Sequence, residues 1–367
     1  MTSIPALQKT SLNSTHRSLG AKMAEFGGWE MPIEYSGIIQ EHLAVRNQAG
    51  LFDISHMGEI LVEGPESFAL LQTVTCNDLS RLQDSQIQYT ALLYPEGTFV
   101  DDVLVHRMSE ESYFICVNAS NSSKDYEWIS RHNSFNARVS NVSEQYTQLA
   151  IQGPKATRTL QRCVDIDLTP TRYYWFRRGK CRGVESLIAR TGYTGEDGFE
   201  LYFSPQFSER IWQDLLQAGA SEGLIPAGLG ARNTLRLEAK MALYGHEISD
   251  QITPWEADLA WIVKMGKGDF IGRGSLLEQQ QKGISKKLVG FEMEGRGIGR
   301  DGYPVIIEGR TVGTVTSGGP APYLKKNLGL AYVPLGHAEI GTLIGIQVRN
   351  QVVPAKIVET PFYKRKK

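Results

Sequence analysis

Near the middle of the chain lies the stretch Gly192-Tyr193-Thr194-Gly195-Glu196-Asp197-Gly198-Phe199-Glu200, flanked by apolar, β-prone runs at residues 186–191 and 199–203. Glycines that alternate with polar residues between two such runs predict a strand, a long turn and a second strand. A phosphate-binding loop would lead from a strand into a helix and point its backbone amides at the anion. Here a strand follows, the loop carries negative charges, and Glu200 ends it at a strand edge. The pattern indicates a site for a hydrogen-bond donor or a cation.

Length and composition favour a globular protein of two or three domains. The chain has 367 residues, of which 41% are hydrophobic and 22% charged, with a formal net charge of −1. This composition argues against disorder and offers no general attraction for nucleic acid. No apolar run reaches the length of a membrane span, and the first residues do not resemble a secretory signal. Four cysteines without a CxxC pair suit buried, reduced thiols, so we expect a cytoplasmic protein.

The secondary-structure pattern changes along the chain. Helical and strand-like segments are mixed up to about residue 283, without the regular alternation of a doubly wound sheet, which predicts an α+β fold. Beyond that point, short β-rich runs are separated by glycine and proline. These runs predict a small C-terminal all-β barrel or sandwich.

Two adjacent acids, Asp101 and Asp102, lie in a run that otherwise reads as an apolar strand. Neighbouring strand residues face opposite sides, so if one carboxylate faces solvent the other points inward, and spacing does not say which. An inward carboxylate without a partner costs several kcal/mol or takes up a proton. The alternative, a structural acid that holds backbone amides or an arginine, is slightly favoured by this pair alone.

Further polar candidates are ambiguous when taken singly. Asn118 ends the next strand, where a turn-forming role is the common one, and in a hairpin it need not approach Asp102. Arg232 begins a helix after Gly228-Leu229-Gly230, and bare backbone at the glycines would let an anionic ligand approach. Its alternative is a solvated helix face.

Other signals argue against common types of active site. The seven histidines lack metal-ligand spacing, so no metal site is expected. Asp53, Ser55 and His56 are close in sequence, but a capped turn with a hydrogen-bonded histidine explains them better than a catalytic triad. Many aromatics could enclose a flat ligand, although most buried rings are simply core.

Taken together and in order, these segments resemble the T-protein of the glycine cleavage system, a folate-dependent aminomethyltransferase. The similarity runs from Gly27-Gly28-Trp29-Glu30-Met31-Pro32 to residues 356–362. It is strongest in Phe52-Asp53-Ile54-Ser55-His56-Met57-Gly58-Glu59, Gln152-Gly153-Pro154, the 192–200 loop, Gly228-Leu229-Gly230-Ala231-Arg232 and Arg236-Leu237-Glu238-Ala239. Each segment alone is weak, but the ordered set is specific.

The resemblance implies a three-domain cloverleaf around a central channel for tetrahydrofolate. It implies a first domain of residues 1–52 with 140–240, a second of 53–139 with 241–283 interleaved with it, and a C-terminal β domain of 284–367. The second acid of the pair, Asp102, is expected to be catalytic. Folate contacts are expected at Tyr89, Asn118, Tyr174, Tyr193, Glu200 and Arg232. The expected partner is the lipoylated H-protein, with no nucleic acid and no membrane.

The expected reaction moves the methylene of an aminomethyl group from the lipoyl arm to tetrahydrofolate and releases ammonia. Two other readings stay open from the sequence. One is a demethylase on the same fold, which commonly carries a fused flavin domain, but no dinucleotide glycine fingerprint is present. The other is a folate-binding factor for iron–sulfur assembly, whose Lys-Gly-Cys-Tyr-type motif is missing. The departures from the family pattern include Asn233 and Lys240.

Overall fold

The computed structural model describes residues 6–365. Within them, helices and strands are mixed along the chain. The α-helices are α1 (Asn13–Ser18), α2 (Ile38–Asn47), α3 (Ser67–Val74), α4 (Ser122–Arg131), α5 (Ala156–Gln161), α6 (Ser208–Gly219), α7 (Leu229–Glu238) and α8 (Arg273–Lys282). Short 3₁₀ helices occupy Leu79–Arg81, Ala119–Asn121, Ser143–Gln145, Pro205–Phe207, Ala220–Glu222, Ala260–Ile262 and Leu335–His337. None of the helices in this range is long and apolar enough to cross a membrane.

The strands belong to two open sheets, a hairpin and a barrel. They are β1 (Lys22–Phe26), β2 (Trp29–Glu34), β3 (Ala49–Asp53), β4 (Gly58–Glu63), β5 (Ile87–Leu93), β6 (Phe99–Ser109), β7 (Ser112–Val117), β8 (Arg138–Asn141), β9 (Thr147–Gln152), β10 (Phe176–Cys181), β11 (Val184–Ala189), β12 (Gly198–Phe203), β13 (Leu224–Pro226), β14 (Lys286–Met293), β15 (Pro304–Ile307), β16 (Arg310–Ala321), β17 (Lys326–Pro334), β18 (Leu343–Val348) and β19 (Gln351–Val358). The strand, glycine-rich turn and strand predicted around 192–200 are confirmed as β11, its loop and β12.

A six-stranded sheet has the order β10-β11-β12-β9-β3-β13, and its strands β12, β9 and β3 are buried on both faces. Alternate residues of β12, Phe199, Leu201 and Phe203, pack in a core with Trp212 of helix α6. The residues between them, including Glu200, therefore point to the opposite, inner face, because side chains alternate along a strand. Helices cover the outer face, so a charged residue on the inner face needs a polar site there.

A five-stranded sheet in the order β5-β6-β7-β4-β8 is built in the same way. Val103 and Val105 of β6 lie in a core that includes Ile129 of helix α4 and residues of helix α3. The alternation places Asp101 on this helix-covered face and Asp102 on the inner face. A third apolar cluster, with Phe114 of β7 and Tyr202 of β12, joins the inner faces of the two sheets.

The C-terminal strands close into a six-stranded barrel in the order β14-β17-β16-β15-β18-β19. Its interior is apolar and includes Phe291, Val315 and Ile346. Helix α7 connects the barrel to the rest of the protein, because its buried Arg236 donates to Ser317 Oγ of β16 at 2.7 Å. The predicted α+β fold with a C-terminal β barrel is confirmed. The residue boundaries of the two interleaved domains stay a prediction.

Candidate functional site

A cavity of about 730 Å³ lies between the inner faces of the two sheets, helix α7 and the segment that follows it. This volume is typical of small-molecule sites. The structure brings all seven predicted site residues to the cavity wall: Tyr89, Asp102, Asn118, Tyr174, Tyr193, Glu200 and Arg232. They come from separate elements of the chain, so the fold assembles the site. The individual roles of these residues remain predictions.

The register of the β6–β7 hairpin sets the surroundings of Asp102. Leu104 pairs with Cys116, and two further residues along each strand bring Asp102 opposite Asn118. Asn118 Nδ2 donates to Asp102 Oδ1 at 2.8 Å, and Tyr89 Oη on β5 donates to Asp102 Oδ2 at 2.8 Å. The expectation that Asn118 need not approach Asp102 in a hairpin is therefore wrong, because antiparallel pairing itself makes them neighbours.

The two adjacent acids differ in what surrounds them. Asp101 is completely buried on the helix-covered face, whereas Asp102 lines the cavity. The condition that one of the two faces solvent is not met, because helix α4 and its preceding turn cover the Asp101 side of the sheet. Burial, and then the neighbouring Asp101, raise the pKa of Asp102 to about 7. A carboxyl with such a pKa can both take up and release a proton near neutral pH.

Glu200 projects into the cavity from the third position of β12. It pairs across the sheet with Ala189 and accepts a hydrogen bond from Thr191 Oγ1 at 2.8 Å. Burial raises the pKa of Glu200, and Arg232 opposes that effect. One buried carboxylate beside one cation fits a ligand edge that presents adjacent hydrogen-bond donors.

Arg232 lies in the first turn of helix α7 and stacks on the ring of Tyr193, with its guanidinium carbon 4.5 Å from the ring centroid. Burial lowers the pKa of Arg232 and Glu200 raises it. The expected role of Gly228 in admitting a ligand is wrong. A Cβ there would lie 2.3 Å from the Ile33 carbonyl, so the missing side chain lets helix α7 approach strand β2.

Aromatic rings form much of the remaining wall. Tyr89 faces Trp261 at a centroid distance of 5.7 Å, and Tyr174 contacts Tyr173 edge-on at 4.8 Å. The backbone of Tyr174 takes the left-handed region with φ of 63°, which turns its side chain toward the cavity. Such walls accommodate a flat ring between aromatic faces.

His56 is a cavity residue whose role the sequence did not indicate. Its side chain is buried, and its Nδ1 finds no hydrogen-bond partner among the described residues. Burial and the nearby Arg232 lower the pKa of His56 to about 3, so the imidazole is neutral. The predicted capped turn is present, because Asp53 Oδ1 accepts from Ser55 N at 2.9 Å, but Asp53 pairs with His16. The expectation of a hydrogen-bonded His56 is therefore wrong for Nδ1.

Two departures from the family pattern lie beside the cavity. Asn233 Oδ1 accepts from Arg236 Nε at 2.9 Å, and Lys240 forms an ion pair with Asp258. The four cysteines are free and buried, as predicted. No group of three or more metal-ligating side chains occurs within residues 6–365.

The fold and the cavity thus define an α+β protein with a C-terminal β barrel and a cavity to which each of two sheets contributes an acid. Comparison with known proteins gives the family. Residues 12–267 match the GCVT N-terminal domain, and residues 286–364 match the glycine cleavage T-protein C-terminal barrel domain. The chain belongs to the glycine cleavage T-protein family of aminomethyltransferases. The resemblance stated from the sequence is therefore confirmed.

Similar proteins extend over the whole chain. An aminomethyltransferase of Koribacter versatilis is 52% identical over 98% of this chain and 97% of its own length. One of Acidobacterium capsulatum is 54% identical over 100% of this chain and 99% of its own length. The crystal structure of glycine cleavage system aminomethyltransferase T from Bartonella henselae superposes with a TM-score of 0.92, at 32% identity and 98% coverage of both chains.

Proposed function

We propose that this protein transfers the methylene of an aminomethyl group, carried on the dihydrolipoyl arm of the H-protein, to tetrahydrofolate. The carbon–nitrogen and carbon–sulfur bonds of the S–CH₂–NH₃⁺ group break, and bonds from its carbon to N5 and N10 of tetrahydrofolate form. The two N–H protons of tetrahydrofolate leave with ammonia and with the arm thiol. The products are 5,10-methylenetetrahydrofolate, ammonium and the reduced arm.

The pterin ring is proposed to bind at the Glu200 side of the cavity. Its edge presents adjacent N–H donors, and one carboxylate accepts two of them. Arg232 lines the cavity over the ring of Tyr193, and its charge opposes the rise in the pKa of Glu200, so it is near the carboxylate proposed to hold the pterin. We therefore assign its guanidinium to a carbonyl acceptor of the pterin, and not to the anionic glutamyl tail.

Asp102 is proposed as the catalytic acid–base group. Loss of ammonia from a carbon between nitrogen and sulfur gives that carbon iminium-like positive charge. A preorganised carboxylate beside it stabilises the charge and carries a proton between the pterin and the leaving groups. Tyr89 and Asn118 each hold one oxygen of Asp102 at 2.8 Å, which fixes its direction.

The lipoyl arm is proposed to enter beside Trp261. This ring lines the cavity while its side chain is 57% exposed, so it lies at an opening. It contacts Tyr89, whose hydroxyl holds Asp102, so a path leads from this opening to the acid. An extended, largely apolar arm suits such an aromatic entrance. The free cysteines support a reducing compartment, and we propose the cytoplasm.

One observation carries the proposal: two acids from two sheets face a single cavity, one beside an arginine and one beside another acid. The test is ammonia release from aminomethylated, lipoylated H-protein with and without tetrahydrofolate. We expect release that depends on folate and about a hundredfold or greater loss of turnover in Asp102→Asn.

The control for that variant is Asp84→Asn, which changes an exposed acid in a surface ion pair with Arg107. Its turnover should match the wild type, because exposed pairs contribute little. Unchanged turnover of Asp102→Asn with intact folate affinity would refute the catalytic role. Folate-independent ammonia release would refute the proposed reaction.

A further inference from the structure

Another buried acid, Asp125, lies on helix α4, on the helix-covered side of the sheet that carries Asp102. Asp125 is completely buried, one helical turn after Asn121 and on the same face of the helix region. Asn121 Nδ2 donates to Asp101 Oδ1 at 2.7 Å, so the face that Asn121 and Asp125 share is turned toward Asp101. Neither oxygen of Asp125 has a hydrogen-bond donor among the described residues. A buried carboxylate in this position would be left unpaired.

Asp101 has the opposite surroundings, because it accepts several hydrogen bonds. Asn118 donates to it twice, from the backbone N–H to Oδ2 at 3.1 Å and from Nδ2 to Oδ1 at 2.9 Å. With Asn121, three N–H donors converge on this one carboxylate. These donors fill acceptor positions on Asp101 of the kind that stay empty on Asp125.

The charged and titratable groups near this pair do not supply a second positive charge. Within residues 6–365, the cation that acts on Asp125 is Lys124, whose Nζ donates to the Val100 carbonyl at 2.6 Å and to Tyr244 Oη at 3.0 Å. The other titratable groups around the acids are Asp102, Tyr244, Tyr94 and Asp250 on this side, with Tyr89, Tyr174 and Tyr193 across the cavity. Burial and then Asp101 raise the pKa of Asp125 to about 11.

Two neighbouring carboxyls in a buried site cannot both be ionised without a large energetic cost. We propose that Asp101 and Asp125 share one proton, held on Asp125, and that this carboxyl–carboxylate pair is a positioning device that orients Asn118 toward Asp102. Because its importance for turnover depends on the role given to Asp102, this part of the inference rests on the proposed function. The pair itself does not.

The geometry gives the pair two effects on Asp102. Asn118 Nδ2 bridges the acids, at 2.9 Å from Asp101 Oδ1 and 2.8 Å from Asp102 Oδ1, so fixing Asp101 fixes the amide that holds Asp102. The pair also keeps a single negative charge next to Asp102. That charge contributes to holding Asp102 protonated until pH is near neutral.

Infrared spectroscopy tests the shared proton without any substrate. We expect the carbonyl stretch of a neutral carboxyl at pH 9 in the folded wild-type protein and its loss in Asp125→Asn. Glu59 is also buried with a raised pKa and adds a similar band, so Glu59→Gln must be recorded beside it. A spectrum of Asp125→Asn that keeps every wild-type band would overturn the proposal. If that variant does not fold, Asp101→Asn is recorded in its place and is expected to shift the Asp125 band. A band that does not shift would also overturn the proposal.

The pH profile of turnover separates positioning from a general structural role. Asn at 125 can donate the same hydrogen bond without altering the charge, so Asp125→Asn should keep the wild-type acidic limb and turnover within about threefold. Asp125→Ala removes the donor and should lower turnover at least about tenfold, with folate affinity retained. Asp101→Asn removes the negative charge and should move the acidic limb down by about one pH unit.

The matched control is Glu127→Gln, which changes an exposed acid on the same helix. A downward shift of the limb in Asp125→Asn as large as in Asp101→Asn would mean that Asp125 is ionised, against the proposal. If the wild-type protein failed to release ammonia while the infrared band behaved as expected, the proposed reaction would be wrong and the proton-sharing pair would stand.

Discussion

The two walls of the cavity, one with Asp102 and the other with Glu200, are built in the same way. They differ in the charge of the group next to the acid. Asp102 and Glu200 both lie on the inner face of a sheet, with a hydroxyl hydrogen bond to one oxygen at 2.8 Å. Burial raises the pKa of both. The second influence on Asp102 is another acid, which raises its pKa further, whereas the second influence on Glu200 is Arg232, which lowers it.

This contrast separates the tasks of the two carboxyls. An acid beside a cation stays ionised and can hold donors of a ligand, whereas an acid beside an acid titrates near neutral pH and can move a proton. Pairs of carboxyls whose surroundings push their pKa values apart commonly divide binding from chemistry in this way. We therefore expect changes at Glu200 to affect folate affinity, and changes at Asp102 to affect turnover.

The largest effect on binding is expected from Glu200→Gln. The amide keeps the shape but loses the charge and one of the two acceptor positions. A hydrogen bond to a charged group contributes about 1.5–3 kcal/mol, which corresponds to a ten- to hundredfold rise in Kd. Calorimetry of tetrahydrofolate binding measures it, with the exposed Glu185→Gln on β11 as control. Loss of turnover at saturating folate with an unchanged Kd would mean that Glu200 acts in catalysis and not in folate binding.

The wild-type enzyme should show an acidic limb with a midpoint near pH 7. Asp102 acts as a carboxylate, and its pKa is raised to about 7, so the active form is lost as pH falls through that value. Turnover at saturating substrates should fall about tenfold for each pH unit below the limb. A rate that stays level between pH 5 and pH 8 would contradict the assignment of this group.

Arg232→Met should make the titration of Glu200 more like that of Asp102. Without the cation, the pKa of Glu200 should rise, so folate binding should weaken as pH is lowered toward neutral. At pH 8 we expect a loss of up to about tenfold in affinity from the missing carbonyl contact. Binding measured at pH 6 and pH 8 gives the comparison. An equal loss at both values would limit Arg232 to a ligand contact.

The smallest effect is expected from Tyr89→Phe. The Tyr89 hydrogen bond lowers the pKa of Asp102, so its removal should move the acidic limb upward by a few tenths of a unit. Turnover at pH 8 should fall about two- to threefold through looser positioning. The exposed Tyr323→Phe is the control. A limb that moves downward would show that the hydroxyl does not stabilise the carboxylate.

Local patterns in the sequence predict much of this comparison. Alternation in β12 separates Phe199 and Leu201 from Glu200, and glycine spacing predicts the preceding loop. The same alternation separates Asp101 from Asp102 without telling which face holds a cavity, because that depends on where helix α4 packs. Asn118 was misjudged for lack of the hairpin register, and the neutral His56 gave no signal because its environment comes from distant residues.

The amino-acid sequence by itself determined the α+β class and the C-terminal all-β domain, through periodicity and turn chemistry. Its ordered motifs indicated the family, and the resemblance to that family supplied the set of residues expected at the cavity wall. Only the tertiary structure decided that the charge of Asp101 raises the pKa of Asp102, and that the charge of Arg232 lowers the pKa of Glu200. Electrostatic surroundings depend on distances in space, and elements far apart in the chain supply them.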